Sequence, residues 1–310
     1  MISQRLKQLR LARGLSLEEL AAQMDGAVTK QALSKYELGI ARPSQRMLNR
    51  LAAALGVKAA YLWSDPVVRV EFIAYRKHSG LLKREQEKVE CRVAHDLEER
   101  VRLQDLLHDS DSLDIPFQTR SIQTEEEAET AAREIREEWR LGVDPIASLT
   151  GVLEDRAIHV IEIEADEKFD GICAVARGDG ERVQAAALVT RRGVAGERQR
   201  LNIVHELGHL VLQFPVGINE EKAAFRFGAA FLAPAELLYR EVGRSRTLIQ
   251  MSEILLLKQR FGLGIQALLY RLKDLGIITA SCHGEWIRLI NVRGWRKCEP
   301  QELPPEQPQS

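Results

Sequence analysis

Residues 205–209 read His-Glu-Leu-Gly-His, inside the stretch RQRLNIVHELGHLVLQF. No other feature restricts what this chain can fold into as strongly. On a helix, positions i and i+4 share one face, so both imidazoles can reach a single metal ion. Glu206 then sits about 100° further round, placed to take a proton from water on that ion rather than to bind the ion. Leu201, Val204, Leu210 and Val211 give the other faces the apolar surface of a core helix. The segment follows three short β-rich runs, AIHVIEIE, GICAVAR and VQAAALVT, bounded by Gly, Asp or Arg turns, which predict a small sheet. His159 alternates with Ile158 and Val160 in the first run and reads as a surface or edge residue, not a ligand.

A catalytic zinc takes three protein ligands and keeps one position open. The extended pattern HExxHxxGxxH fails, because Leu212 and Pro215 stand where Gly and His are required. A carboxylate is the alternative, and the following run, NEEKAAFRFGAAFLAP, offers Glu220 and Glu221. From about 146 to 234 these residues resemble the ImmA/IrrE family of metallopeptidases, in which HELGH precedes a helix of the form E..A..FA..LL.P. The resemblance implies His205, His209 and Glu221 as ligands of zinc, or of manganese, with Glu206 as general base. It also implies a protein substrate of transcriptional-repressor type. Glu220 is the neighbouring contender, but the offsets to Ala224, Phe227 and Pro234 favour Glu221. Phe225 departs from the family, which often has Asn there.

The total charge of −1 over 310 residues hides an asymmetry. Residues 1–65 hold ten basic side chains against five acids, whereas 121–140 hold seven Glu against three Arg. Only the N-terminal end is therefore suited to a polyanion. That end reads as short helices: one through Leu6, Leu9 and Arg10, a second opened by a Ser16/Glu19 capping box, and a third capped by Thr29. A fourth follows Ser44, and KAAYLW supplies a last apolar turn. The runs LRLARGLSLEELAA, TKQALSKYELGIARPS and LAAALGV resemble the XRE-type, phage-repressor helix-turn-helix over 1–64. The resemblance implies that Lys30, Gln31, Ser34 and Lys35 face base edges of a double-stranded operator, and that Arg10, Arg42 and Arg46 meet phosphates. Leu17 replaces the polar residue that many members carry at the start of helix two. One small helix-turn-helix buries too little surface for useful affinity, so a homodimer on a palindromic site is expected.

Between these modules, LLKREQEKVECRVAHDLEERVRLQDLL carries a partial helical stripe and reads as a long spacer helix with a dimer seam. Cys91 and His95 lie one turn apart on it, on what reads as a solvated face. DSDSLDIPF breaks that helix, and Thr124 opens a strongly acidic one. Toward the C-terminus LIQMSEILLLKQRFGLGIQALLYRLKDLGII predicts two helices, EWIRLINV a β-like run, and CEPQELPPEQPQS an extended Pro-rich tail. Lys and Arg are not concentrated on one of these helices, which favours a wall of the peptidase domain over a winged-helix element. The expected fold class is α+β and mostly helical: a helix-turn-helix domain (1–65), a helical connector (66–120), a zincin-like domain with a small sheet (121–245), and a C-terminal helical or winged region with the tail (246–310).

No run approaches eighteen apolar residues, so no membrane span is expected. The polar, basic start lacks a secretory h-region. Four dispersed Cys without a CxxC suit reduced thiols in the cytoplasm. Two functions fit: an operator-binding regulator that is also a metal-dependent endopeptidase cleaving a repressor or itself, or a non-catalytic transcription factor or antitoxin whose metallopeptidase-like domain senses a ligand or holds a toxin. An intact Glu206 favours the enzyme, since a pure sensor has no need of it. For the DNA module, Gln31→Ala is expected to relax base preference at a cost of roughly 1–3 kcal/mol on the preferred site. Binding titrations on operator and random duplexes check this, and equal loss on both removes Gln31 from the readout.

Overall fold

The computed structural model describes residues 2–75, 82–107, 115–178 and 182–308. The first six residues of DSDSLDIPF, where a helix break was expected, are outside them. Helices α1 (Ile2–Ala12), α2 (Leu17–Gln23), α3 (Lys30–Glu37) and α4 (Gln45–Ala54), with a single 3-10 turn (Ala59–Leu62), make the N-terminal module. Ser16, Thr29 and Ser44 each accept a backbone N–H at the start of α2, α3 and α4, and Glu19 closes the capping box. Leu6, Leu9, Leu20, Leu33, Leu48, Leu51 and Leu55 fill its core.

Beyond it come β1 (Arg69–Tyr75), α5 (Lys83–Leu106), β2 (Arg120–Ser121), α6 (Glu127–Glu138), α7 (Leu149–Glu154), β3 (Ile158–Ile163), β4 (Gly171–Arg177) and β5 (Val183–Arg191). Then follow α8 (Gly196–Val211), β6 (Leu212–Gln213), α9 (Glu220–Leu232), α10 (Ala235–Val242), α11 (Met251–Phe261), α12 (Ile265–Asp274) and α13 (Ala280–Arg293). The fold is α+β and mostly helical. The main sheet has the order β1-β4-β5-β3, with β4 antiparallel to both neighbours and β3 parallel to β5. β2 and β6 form a separate, short parallel pair.

Successive strand residues point to opposite faces, and the alternation divides this sheet between two cores. Cys173, Val175, Ala186 and Leu188 face the core of α8, whereas Ile172, Ala174, Ala176, Ala187 and Val189 face Val89, Val93, Leu97 and Val101 of α5. Coverage on both faces explains why β4 and β5 are almost continuously apolar. It also corrects the connector. Residues 69–75 are an edge strand of the sheet, and α5 is its second covering layer rather than a spacer or a dimer seam.

Two further expectations change. EWIRLINV belongs to α13, where Cys282, Trp286 and Ile290 are buried at intervals of four, so the helical period wins over β-branched content. No strand occurs among the described residues of 246–308, which removes the winged element. The Pro-rich tail is extended but docked: Glu299 accepts the Ile265 N–H of α12 at 2.7 Å, and Glu306 accepts the Leu149 N–H of α7 at 3.0 Å. Between them the Gly196 N–H of α8 donates to Leu303 O at 2.9 Å.

The N-terminal module is tied to this body by a buried cluster. Arg5 of α1 forms a two-bond ion pair with Glu98 of α5, the Nη2–Oε1 bond being 2.6 Å, and the side chains are 2% and 3% exposed. Arg102 and the Val67 N–H also bond Glu98, and Tyr61 reaches both Glu98 and His95 at 3.3 Å. His95 is thus an interface residue and not part of a solvated face. Burial raises the Glu98 carboxyl, but bonding and charge from Arg5 outweigh it and hold it below its ordinary value of 4.5. A depressed carboxyl contributes stability fully above the unfolded value and loses it as pH falls through the folded one. Glu98→Ala strands Arg5 and is expected to cost about 3 kcal/mol or more. Calorimetry should then show the N-terminal module melting earlier, and acid below pH 4.5 should do the same to wild type; one unchanged transition in both overturns the coupling.

Candidate metal centre

α8 and α9 run side by side because two positions lack a side chain. A Cβ on Gly208 would stand 3.1 Å from Ala224 Cα, and one on Gly228 would stand 2.9 Å from Val204 Cγ2. This close approach sets the C-terminal half of α8 against the first turns of α9, where Asn219 caps the helix by accepting the Lys222 N–H. His205 and His209 lie one turn apart on α8 and are almost fully buried. Glu221 is half exposed at the start of α9 and meets both.

The three donors converge. His205 Nε2 and His209 Nε2 are 3.1 Å apart, and Glu221 oxygens lie 3.5 Å from the first and 3.4 Å from the second. Two ligands about 2.05 Å from a tetrahedral ion stand roughly 3.4 Å apart, so the three side chains are close enough together to hold one metal ion. Two His and one Glu also leave one position open, the donor set of a catalytic site. Among the described residues this is the one His/Cys/Asp/Glu group so arranged. Glu220, the alternative ligand, is exposed and is not part of this cluster.

Glu206 is 3% exposed and turned toward the sheet. A Cβ at Gly171, the first residue of β4, would stand 2.8 Å from Glu206 Oε1, so the missing side chain makes room for the carboxylate. Burial pushes the neighbouring Cys173 thiol well up, and the Glu206 charge adds to it, so this Cys stays protonated. Aromatic rings close the imidazole side: Phe225 lies 4.1 Å from His205 between centroids, and Phe214 lies 5.6 Å from His209. Gly171, Gly228 and Phe214 carry no signal in the sequence, because each acts through a contact with an element far along the chain.

In the N-terminal module Lys30, Gln31 and Lys35 are exposed on α3 and Ser34 is partly so, while Arg42, in the loop before α4, and Arg46, in its first turn, are exposed. Lys30 pairs with Glu18 of α2. Arg10 does not share this face. It is 7% exposed, donates to both Glu37 oxygens at 2.6 and 2.8 Å, and bonds Leu15 O at 2.7 Å. Its charge is consumed in holding α1 to the end of α3, which corrects the expected phosphate contact.

An all-α DNA-binding module and a sheet-backed HExxH helix with a carboxylate from the next helix define a regulator-like chain with a metallopeptidase-like domain. Residues 6–62 match the family model described as helix-turn-helix, and residues 186–273 match that described as IrrE N-terminal-like domain, a peptidase family. The chain therefore joins an XRE-type helix-turn-helix domain to an ImmA/IrrE-like domain. No curated protein matches it. No helix among the described residues is long and apolar enough to cross a membrane.

For the centre, Glu221→Ala and His209→Ala are each expected to lose the ion, and Glu220→Ala to keep it. Metal analysis of the purified proteins checks the assignment. An empty Glu220→Ala site beside a filled Glu221→Ala site reverses the ligand choice.

Proposed function

We propose that this chain is a DNA-binding regulator whose ImmA/IrrE-like domain is a metal-dependent endopeptidase, cleaving a regulatory protein of repressor type or the chain itself. The observation that carries the reading is the spacing of His205, His209 and Glu221 with a buried Glu206 beside them. Zinc held there, or manganese, supplies Lewis acidity toward a peptide carbonyl and lowers the pKa of water. The protein does the rest. His205 and His209 are fixed by burial in α8, so the open side of the donor set faces one direction. Glu206 Oε accepts the proton that the attacking water loses and carries it to the departing amine. A carboxylate seated at Gly171 has little freedom, so the transfer needs no reorganisation of this side chain.

The DNA side of the proposal uses Lys30, Gln31, Ser34 and Lys35 for base edges and Arg42 and Arg46 for phosphates, in a cytoplasmic homodimer on a palindromic operator. Joining both activities in one chain places the peptidase where regulators assemble, which supports a repressor, or this chain, as its substrate.

Glu206→Gln tests the catalytic part. The amide cannot accept the proton, so cleavage is expected to fall by about 10²–10⁴-fold while metal content and DNA binding stay intact. Wild type and variant are expressed beside neighbouring repressors, and shortened products are followed. A product that vanishes with the variant identifies activity and substrate together. Identical products and identical regulation in both, under stress as well as at rest, overturn the peptidase in favour of a sensing or toxin-holding module.

A further inference from the structure

The helix stripes that carry the ligands continue past them. On α8 the series His209, His205, Leu201 proceeds in steps of four, and on α9 Glu221, Phe225 and Ala229 do the same, so each series keeps to one face. Leu201, Phe225 and Ala229 line a groove of about 720 Å³, completed by Tyr270 of α12 and by Trp295 after α13. That volume lies within the roughly 300–1,000 Å³ of sites that enclose ligands. Phe225 belongs to both places: its ring is 4.1 Å from that of His205 and it forms one wall of the groove. The groove therefore lies beside the metal centre, with Phe225 between the two, and runs toward the N-terminal end of α8.

Its charge is uneven. Lys222, Arg226 and Arg271 are paired with Glu125, Glu126 and Glu129 around α6, while Glu197 and Glu299 are paired with Lys258. Setting those pairs aside, Arg198, Lys273, Arg296 and Lys297 stand in the lining against Asp274 and Glu302. An occupant with an apolar side chain and an adjacent acidic one complements this surface.

We propose that the groove is a specificity subsite, taking the substrate segment on one side of the scissile bond, with an apolar side chain between Phe225 and Tyr270 and an acidic residue near Arg198 and Arg296. The proposal rests on the endopeptidase reading and names the sequence class that it selects. Acidic partners of the same cations in solution, without the apolar residue, fill only half the site.

The test uses hydroxamates on the zinc-loaded full chain, read by calorimetric titration. Acetohydroxamate reports the metal alone. Two further probes carry a Phe-Asp extension, one on each side of the chelating group. One extended probe is expected to bind at least tenfold tighter than acetohydroxamate. Ala229→Trp, which fills the groove, and Tyr270→Ala, which removes an exposed wall, are each expected to erase that gain while acetohydroxamate affinity serves as the internal control. Equal affinity for all three probes overturns the groove and leaves the metal centre standing, as does a gain that survives Ala229→Trp. Absence of acetohydroxamate binding overturns the endopeptidase reading and the subsite with it.

Discussion

The contact between α8 and α9 decides the character of the whole C-terminal body. Helices whose side chains interdigitate keep axes about 8–10 Å apart. Gly208 against Ala224 and Gly228 against Val204 remove side-chain bulk at two successive points of that contact. The carboxylate of Glu221 comes within 3.5 Å of both imidazoles as a result. Everything else serves this arrangement. The sheet supports α8 from beneath, and α5 seals the far face of the sheet.

Burial of the two imidazoles has an electrostatic side as well. Phe225 and Phe214 exclude water from their faces, and a low-dielectric surround strengthens any charge placed among the donors. Glu221, by contrast, is half exposed and reaches the centre from the solvent edge. The centre thus has a dry wall made by α8 and a wet wall made by the first turn of α9.

The site was legible because its information is local. HELGH occupies five consecutive residues, so helical spacing alone brings its two imidazoles to neighbouring turns, whereas Glu221 was named through the family resemblance and meets them by the packing of α9 on α8. The caps at Ser16, Thr29 and Ser44 were legible for the same reason. What the sequence withheld is non-local. α5 is rich in charge, and its stripe of Val89, Val93, Leu97 and Val101 finds its partner in Ile172, Ala174 and Val189, about eighty residues later, so it reads as a spacer. β1 sits at the sheet edge beside β4, a pairing that spans about a hundred residues. Arg10 reads as a free cation until Glu37 is seen against it. A β-branched run in α13 misleads because burial at 282, 286 and 290 overrides local preference.

The docked tail adds a constraint in time. The N-terminal turn of α8 bonds Leu303 O, and the Leu303 N–H returns a bond to Glu197 at 2.9 Å, while Gln199 accepts the Glu306 N–H at 2.7 Å. Arg200 of the same turn pairs with Glu306, which also holds the start of α7. The opening turn of the metal-binding helix is thus completed by residues made about a hundred positions later. During synthesis α8 emerges with these partners still unmade, and its first turn has only water to satisfy it. A chain interrupted before residue 299 therefore carries His205, His209 and Glu221 without the clip that steadies the start of α8, so the helix holding both imidazoles is less firmly anchored.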